Sequence, residues 1–237
     1  MIPRAAMVLA AGLGKRMRPL TATRPKPLVE VAGATLLDHA LARLAAEGVR
    51  TAVVNVHYMA ERIEAHLAAR DPGLTVRISD ERAALLETGG GVAKALPLLD
   101  ADPFLVVNSD NFWIDGATST LGHLAQHWDA ARMDALLLLV PLARAHGYDG
   151  VGDFHMDAGG KLRRRAERRV APYVFSGVQI LSKRLFDGVM VEPFSLNRLY
   201  DRALAEGRLN GVAHSGLWFH VGTPQAIAET EAVLAHG

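Results

Sequence analysis

The 237-residue sequence contains no cysteine, so disulfide bonds, thiolate metal sites and cysteine nucleophiles are excluded. It also lacks a long hydrophobic run. The longest apolar stretch, residues 135–140 with its flank, is far too short to span a bilayer. Near the N-terminus a brief apolar segment is interrupted at residues 12–18, which leaves no convincing export signal. We therefore expect a cytoplasmic protein that is not embedded in a membrane.

A strong charge imbalance is also missing. There are 26 Lys and Arg against 25 Asp and Glu, a formal net charge of +1, which gives no general attraction to nucleic acid or anionic lipid. One dense basic run, at residues 163–169, has no aromatic residues among its arginines, so we do not expect nucleic-acid binding. Two interpretations of the run stay open: the solvated edge of a hairpin, or a contact to an anionic sugar phosphate.

Apolar runs alternate with segments of helical periodicity through the first two-thirds of the chain. This alternation predicts βαβ units and a mainly parallel sheet covered on both faces. After residue 150 the pattern changes to a hairpin and further strands, without a linker, so we expect one domain over residues 1–237. The strands are predicted at residues 5–10, 51–56, 74–79, 104–108, 134–140, 151–156, 161–165, 173–181 and 217–221, and the helices at 35–47, 59–69, 119–128, 195–206 and 224–235, with a short helical run from 87 to about 97.

The first predicted strand runs into a glycine motif, Leu-Ala-Ala-Gly-Leu-Gly-Lys-Arg-Met, at residues 9–17. Glycines here let the backbone turn sharply and bring its N–H groups to an anion, and Lys15 and Arg16 add positive charge. Met17 replaces the third glycine of a dinucleotide fingerprint, and Leu9 and Arg16 do not match a Walker loop. Taken alone, the motif fits a phosphate site and an ordinary strand-to-loop turn about equally.

A second short motif, Pro25-Lys26-Pro27, favours the phosphate interpretation. Pro25 fixes its own φ, and Pro27 is expected to hold Lys26 in an extended conformation. A lysine restrained in this way suits a pre-positioned ammonium group at a phosphate. Together the two motifs predict a nucleoside-triphosphate site.

Two further segments follow strands or begin a helix. Asp110 comes directly after the apolar strand at 104–108 and suits a Mg²⁺ ligand, although a turn-forming aspartate is the alternative. Gly89, Gly90 and Gly91 expose backbone that could lie against a flat base. The alternative is a loop in which the glycines serve only to form a tight turn. Because ligands in an open parallel sheet lie beyond the carboxyl ends of the strands, we expect these segments to meet at one cleft.

Taken together, the motifs resemble the sugar-1-phosphate nucleotidyltransferase family over nearly the whole chain. The family's order of L-A-A-G-x-G-x-R-M followed by P-K-P is specific to it, but discriminates poorly among sugars and bases. The matching segments are residues 9–17, 25–28, 31–33, 55–58, 87–91 and 221–224.

The resemblance implies a Rossmann-like three-layer sandwich with a mixed, mainly parallel sheet. About 1–150 would form the nucleotide-binding half and about 151–237 the sugar-binding half. It implies Mg²⁺-dependent transfer of a nucleoside monophosphate from an NTP to a sugar 1-phosphate, with UTP the favoured nucleotide and GTP with mannose 1-phosphate the alternative. We expect a monomer or a small homo-oligomer. A sensing module that binds nucleotide or sugar phosphate without turnover, and a metal-dependent glycosyltransferase, are the rivals from other classes.

Site residues follow from the resemblance by position. Three residues would act on the phosphates or the metal: Arg16, Lys26 and Asp110. Residues 176 and 177 resemble the sugar-side strand, so Ser176 and Gly177 are candidate sugar contacts. The candidate nucleotide-binding residues are Ala10, Ala11, Gly12, Gly14, Lys15 and Gly91.

One position departs from the family pattern. The family commonly has an aspartate, its second metal ligand, just before Val-Gly-Thr, whereas this chain has His220. Imidazole is a poor Mg²⁺ ligand and suits softer ions better. Three outcomes stay open: Asp110 and the phosphates hold Mg²⁺ alone, His220 favours another ion such as Mn²⁺, or catalysis is impaired. We favour the first.

Overall fold

The computed structural model describes residues 1–236 of the chain. None of its helices in that range combines the length and apolar character needed to cross a bilayer. Six α-helices are present in the described chain: α1 (Leu36–Ala46), α2 (Ala60–Ala68), α3 (Glu87–Ala95), α4 (Thr120–Gln126), α5 (Asn197–Ala205) and α6 (Pro224–His236). The strands are β1 (Ala5–Leu9), β2 (Glu30–Val31), β3 (Ala34–Thr35), β4 (Thr51–Val56), β5 (Thr75–Asp80), β6 (Phe104–Asn108), β7 (Asn111–Ile114), β8 (Ala135–Pro141), β9 (Ala145–His146), β10 (Phe154–Met156), β11 (Leu162–Arg164), β12 (Tyr173–Leu181), β13 (Leu209–Ala213) and β14 (Leu217–His220).

A mixed sheet runs through the centre of the molecule in the order β5-β4-β1-β6-β12-β8-β13. Neighbouring strands are parallel in β5-β4-β1-β6 and in β8-β13, and β12 lies antiparallel between the two groups. The hairpin β10-β11 joins this sheet at the start of β12. Both halves of the chain therefore contribute to one sheet, and the predicted mainly parallel architecture is confirmed.

Alternate residues of β1 face two separate hydrophobic cores, as the two-residue period of a strand requires. Ala6 and Val8 pack in the core that is covered by α1, α2 and α4. Ala5 and Met7 pack in the core that is covered by α3 and α5. All four residues are completely buried, which explains why β1 reads as a continuous apolar run. The helices thus lie on both faces of the sheet and make three layers.

Most of the predicted elements form, with ends that shift by a few residues. At the start of α1, the Thr35 hydroxyl accepts a hydrogen bond from the Asp38 N–H at 3.1 Å, and the Asp38 carboxylate accepts one from the Thr35 N–H. These two hydrogen bonds form a capping box, which fixes the start of α1. The hairpin at residues 151–165 also forms, with shorter strands than predicted. Five short strands, β2, β3, β7, β9 and β13, have no counterpart among the predicted strands. β2 and β3 pair with each other, whereas β7, β9 and β13 pair with segments far away in the chain.

A buried polar network fixes the loop that leaves β1. The Ala10 N–H donates to Asn55 Oδ1 at 2.7 Å, and Asn55 Nδ2 donates to Glu81 Oε1 at 2.7 Å. The other Glu81 oxygen accepts from the Leu86 N–H at 3.1 Å. Asn55 and Glu81 are almost fully buried, so each lost partner would leave an unsatisfied polar group. The network ties the ends of β1, β4 and β5 to one another.

We expect Asn55→Ala to lower the free energy of unfolding by about 1–3 kcal/mol, because it leaves the Ala10 N–H and one Glu81 carboxylate oxygen without their hydrogen-bond partner. Urea denaturation measures the change. Ser79→Ala is the matched control. Ser79 pairs with Asn55 across β4 and β5 and is equally buried, but its hydroxyl has no hydrogen-bond partner among residues 1–236. A similar loss of stability in both variants would contradict the assigned role of the network.

Candidate active site

The carboxyl ends of β1, β4 and β6 meet at a cavity of about 390 Å³. Five of the residues singled out in the sequence line it, and they come from three separate segments. These are Ala10, Ala11, Gly12, Lys26 and Asp110. The predicted convergence of the strand ends on one cleft is therefore seen in the structure.

The glycine loop has two different kinds of glycine. Gly12 lines the cavity, and no atom lies within 4 Å of the place where its Cβ would be. Gly14 has φ +61°, and a Cβ there would lie 3.1 Å from the Lys26 Cβ and 3.0 Å from Thr21. Gly14 therefore permits both the left-handed turn and the close approach of the lysine segment. The Thr21 hydroxyl holds this turn by donating to the Gly14 carbonyl at 2.8 Å.

The two cationic residues of the loop, Lys15 and Arg16, lie in different surroundings. Arg16 lines a second cavity, described below. Lys15 is exposed and lines neither of these two cavities. The predicted contact of Lys15 with the nucleotide stays a prediction.

Lys26 is buried and its ammonium group donates to Asp110 Oδ2 at 2.8 Å. The extended conformation predicted for Lys26 is wrong, since Lys26–Leu28 forms a single 3₁₀ turn. Hydrogen bonds from Leu28 N–H to Pro25 carbonyl and from Val29 N–H to Lys26 carbonyl close this turn. They outweigh the preference that Pro27 imposes on its predecessor. The backbone is extended on either side of the turn, at Pro25 with ψ 146° and at Val29 with ψ 134°.

Burial raises the pKa of Asp110, but the adjacent Lys26 ammonium lowers it by charge and by hydrogen bonding, with a smaller contribution from His220. The net effect is a pKa below the ordinary aspartate value, so Asp110 is ionised at neutral pH. Lys26 engages one carboxylate oxygen, and the side chain keeps 28% of its surface exposed. Asp110 is thus an anionic group that remains accessible from the cavity.

A second cavity of about 360 Å³ adjoins the first. Both cavities share Asn108 and Asp110, so they meet at the end of β6. The second cavity is lined by Arg16, Asn108, Asp110, Asn111, Tyr148, Asp153, Phe154, Arg164, Val174, Phe175, Asn197, Tyr200, Trp218 and His220. Its lining mixes aromatic rings with polar and charged side chains.

His220, at the end of β14, lies in this second cavity near Asp110. Burial lowers the pKa of the imidazole, and the nearby Lys26 and Arg16 lower it further, whereas Asp110 raises it. The net direction is downward, so His220 is neutral at neutral pH. Within residues 1–236, no group of three or more His, Asp or Glu side chains is arranged to hold a metal ion.

The two candidate sugar contacts lie behind the cavity wall. Ser176 is fully buried, and its hydroxyl accepts from the Val178 N–H at 3.1 Å. Gly177 has φ +83°, and a Cβ there would lie 2.0 Å from the Asn111 amide nitrogen. Neither residue lines the second cavity, so a direct sugar contact does not fit their placement. The register of β12 shifts at this point, and Asn108 of β6 and Asn111 of β7 line the cavity instead.

Two of the three consecutive glycines, Gly89 and Gly90, pack closely against the segment that contains Glu192 and Phe194. A Cβ on Gly90 would lie 2.0 Å from the Glu192 carbonyl oxygen, and a Cβ on Gly89 would lie 2.2 Å from the Phe194 ring. Gly91 is buried against Glu81 and Asn55 and does not line the first cavity. A base bordered directly by Gly91 does not fit this placement. The neighbouring Glu87 and Thr88 do line the cavity.

Asn197 and Tyr200 line the second cavity, although nothing in the sequence marks them as site residues. Arg164 belongs to the basic run that the sequence did flag, but its neighbours Arg163, Arg168 and Arg169 are exposed and line neither of these two cavities. Asn197 and Tyr200 begin α5, and their pattern reads only as an amphipathic helix. No sequence signal connects them to Arg164, because the contact depends on the tertiary fold.

Comparison with solved structures agrees with this architecture. The inositol-1-phosphate CTP transferase from T. maritima superposes with a TM-score of 0.80 at 17% identity, covering 100% of this chain and 98% of that one. At this identity the likeness concerns the fold.

Sequence comparisons are more specific. The chain is 50% identical to the N-acetylmuramate alpha-1-phosphate uridylyltransferase of Caulobacter vibrioides, over 98% of both chains. It is 37% identical to the protein of the same name from Neisseria meningitidis, over 96% of this chain and 97% of that one. The family described as nucleotidyl transferase matches residues 5–236. The motifs, the fold and these matches agree: the chain belongs to the nucleotidyl transferase family, as an enzyme related to the sugar-1-phosphate nucleotidyltransferases.

Proposed function

We propose that this enzyme transfers UMP from UTP to N-acetylmuramate 1-phosphate and releases pyrophosphate. The observation that carries the proposal is the meeting of two cavities at Asp110, beside the Lys26 ammonium group. A reaction between two phosphate compounds needs two adjoining sites with cations at their junction. The names of the relatives at 50% and 37% identity support the choice of base and sugar. Such an activity fits the recycling of cell-wall amino sugars in the cytoplasm.

The first cavity suits the nucleotide. Its lining comprises apolar and backbone surface from Ala10 and Ala11 together with the polar groups of Glu87 and Thr88. The open Gly12 lets a phosphate tail approach the backbone closely. Gly14 acts indirectly, by allowing the turn that brings Lys26 to the cavity. The second cavity suits the sugar 1-phosphate, since aromatic and amide side chains line it and Arg16 supplies positive charge.

The chemical step is attack by a sugar-phosphate oxygen on the α-phosphorus of UTP, with pyrophosphate as the leaving group. The attacking oxygen is already ionised, so the step requires no general base. Two polyanions must be held together, and catalysis of this kind depends on positioning and on fixed positive charge. Lys26 and Arg16 supply that charge. Lys26 must exchange part of its contact with Asp110 for a phosphate oxygen when substrate binds.

A divalent cation fits the donor set at this junction. Mg²⁺ in phosphoryl-transfer sites usually has one or two protein carboxylates and takes its other ligands from phosphates and water. Asp110 offers one such carboxylate, ionised and partly exposed. Bound there, the cation would neutralise charge on the phosphate oxygens. We assign Mg²⁺ to Asp110 and the substrate phosphates, with His220 beside the site as a neutral imidazole.

A pyrophosphate-release screen of five nucleoside triphosphates against a panel of sugar 1-phosphates tests the proposal. We expect the highest kcat/KM for UTP with N-acetylmuramate 1-phosphate. Activity confined to GTP with mannose 1-phosphate would replace the proposed substrates with the alternative pair. Binding without pyrophosphate release would identify a sensing module, and release of free UDP would indicate a glycosyltransferase.

Lys26→Ala is expected to reduce kcat by ~10²–10³-fold, the usual effect of removing one well-placed charge stabiliser. Asp110→Asn should reduce kcat at least as much, because it removes the anionic ligand proposed for the cation. Steady-state kinetics at saturating UTP measure both effects. Lys161→Ala removes an exposed lysine on the hairpin and serves as the control. Near-normal turnover in both site variants would show that the assigned roles are wrong.

Replacing His220 by aspartate tests its relation to the cation. If Asp110 and the phosphates hold Mg²⁺ without His220, the ratio of activities with Mg²⁺ and Mn²⁺ should stay within about twofold in His220→Asp. Parallel titrations of both ions measure that ratio. A large shift toward Mg²⁺ in the variant would contradict this expectation, because it would show that a side chain at position 220 reaches the cation.

A further inference from the structure

The second cavity contains an arginine for which the proposed chemistry at phosphorus has no role. Arg164, at the end of β11, belongs to this cavity but not to the one that holds Lys26. Arg16, in contrast, lies in the glycine loop that serves the phosphates. The second cavity thus has two arginines from distant segments. Arg16 is assigned to the phosphates, which leaves Arg164 available to a different group of the substrate.

The guanidinium of Arg164 is held in a fixed orientation. Its Nε donates to Asp201 Oδ1 at 2.8 Å, and Nη2 donates to Asn197 Oδ1 at 2.9 Å. The guanidinium carbon lies 4.9 Å from the centre of the Phe154 ring and 6.0 Å from that of Tyr200. These contacts restrict the rotation of an otherwise flexible side chain, so less conformational entropy is lost when a ligand binds.

One end of the guanidinium is left without a protein partner. Nη1 donates to no acceptor in residues 1–236, whereas Nε and Nη2 are both engaged. The charge of Arg164 is only weakly neutralised, because Asp201 keeps 63% of its side-chain surface exposed. The free end therefore retains both hydrogen-bond donors and positive charge, which are the features that bind a carboxylate.

Tyr200 and Asp153 share the cavity with Arg164, and both have other hydrogen-bond partners. Burial raises the pKa of the Tyr200 phenol, and its O–H donates to Gln179 Oε1 at 2.6 Å, so Tyr200 stays neutral and does not pair with the guanidinium. Two carboxylates line the second cavity, Asp110 and Asp153, and Oδ2 of Asp153 accepts a hydrogen bond from the Phe175 N–H at 2.9 Å. A ligand carboxylate would be repelled by Asp153 and drawn to Arg164.

We propose that Arg164 binds the carboxylate of the sugar substrate, and that Asp201 and Asn197 are positioning residues for its guanidinium. The proposal rests on the proposed function, since N-acetylmuramate differs from N-acetylglucosamine by a lactyl ether that carries a carboxylate. Arg164 thereby selects a carboxylate-bearing sugar 1-phosphate over its neutral counterpart. Specificity for the sugar lies at this subsite, apart from the chemistry at phosphorus.

The test compares Arg164→Gln with the wild-type enzyme on two substrates that differ in the lactyl group, N-acetylmuramate 1-phosphate and N-acetylglucosamine 1-phosphate. A remote contact that is made equally in the ground state and the transition state changes KM and not kcat. We therefore expect KM for the muramate substrate to rise ~10- to 100-fold, with kcat changed by less than about threefold. For N-acetylglucosamine 1-phosphate we compare kcat/KM, or the inhibition constant if the wild type does not turn this compound over. We expect that value to differ by less than about threefold between Arg164→Gln and wild type.

Two further variants complete the experiment. Arg163→Gln removes the same charge from the preceding residue of β11, which is exposed and outside the cavity, and should behave as wild type. Arg164→Lys keeps a charge without the planar fork and should show an intermediate rise in KM. Thermal unfolding of each variant confirms that the fold is retained.

The outcomes separate the two proposals. If wild type releases no pyrophosphate from N-acetylmuramate 1-phosphate, the proposed function fails, and that result is read without any variant. If wild type uses this substrate but Arg164→Gln weakens both sugars equally, or neither, the carboxylate subsite is overturned while the proposed function stands.

Discussion

The parallel pairing of β1 with β4 on one side and β6 on the other is the constraint on which the rest of the site depends. Parallel strands end at the same edge of a sheet, so the loops after Leu9, Val56 and Asn108 leave side by side. Short hydrogen bonds then fix the loops to one another. The Ser109 hydroxyl donates to the Leu9 carbonyl at 2.7 Å, and the Ala10 N–H donates to Asn55. Residues that are a hundred positions apart in the chain are thereby held in direct contact.

On this frame, Lys26 and Asp110 satisfy each other's charge while remaining open to a ligand. A buried ammonium without a partner would be strongly destabilising, and the carboxylate at 2.8 Å prevents that. The pair joins a segment near the N-terminus to the end of β6, 84 residues later. Both groups lie where the two cavities meet. The contact that stabilises the fold thus also places opposite charges where polyanions and a cation are proposed to bind.

The antiparallel strand β12 separates the two groups of parallel strands and shapes the second cavity. Its register shifts between Phe175 and Gln179, and Gly177 lies within the shift with a positive φ. The missing Cβ leaves room for Asn108 and Asn111. These asparagines line the cavity, whereas Ser176 and Gly177 do not. Gly177, which the sequence suggests as a sugar contact, therefore acts by leaving space in which Asn108 and Asn111 line the cavity.

The sequence by itself determined the elements whose cause is local. The buried runs of β1, β4 and β6, the capping box of Thr35 and the glycine loop beside Pro25-Lys26-Pro27 all follow from propensity, capping and backbone sterics. The convergence of the strand ends on one cleft also followed from the sequence, because ligands of an open parallel sheet lie beyond the carboxyl ends of its strands. Only the tertiary structure decided the partners. The pairing of Lys26 with Asp110, the burial of Ser176 and Gly91 and the fixed orientation of Arg164 join segments far apart in the chain. Such contacts depend on how the layers pack, and no spacing within one segment encodes them.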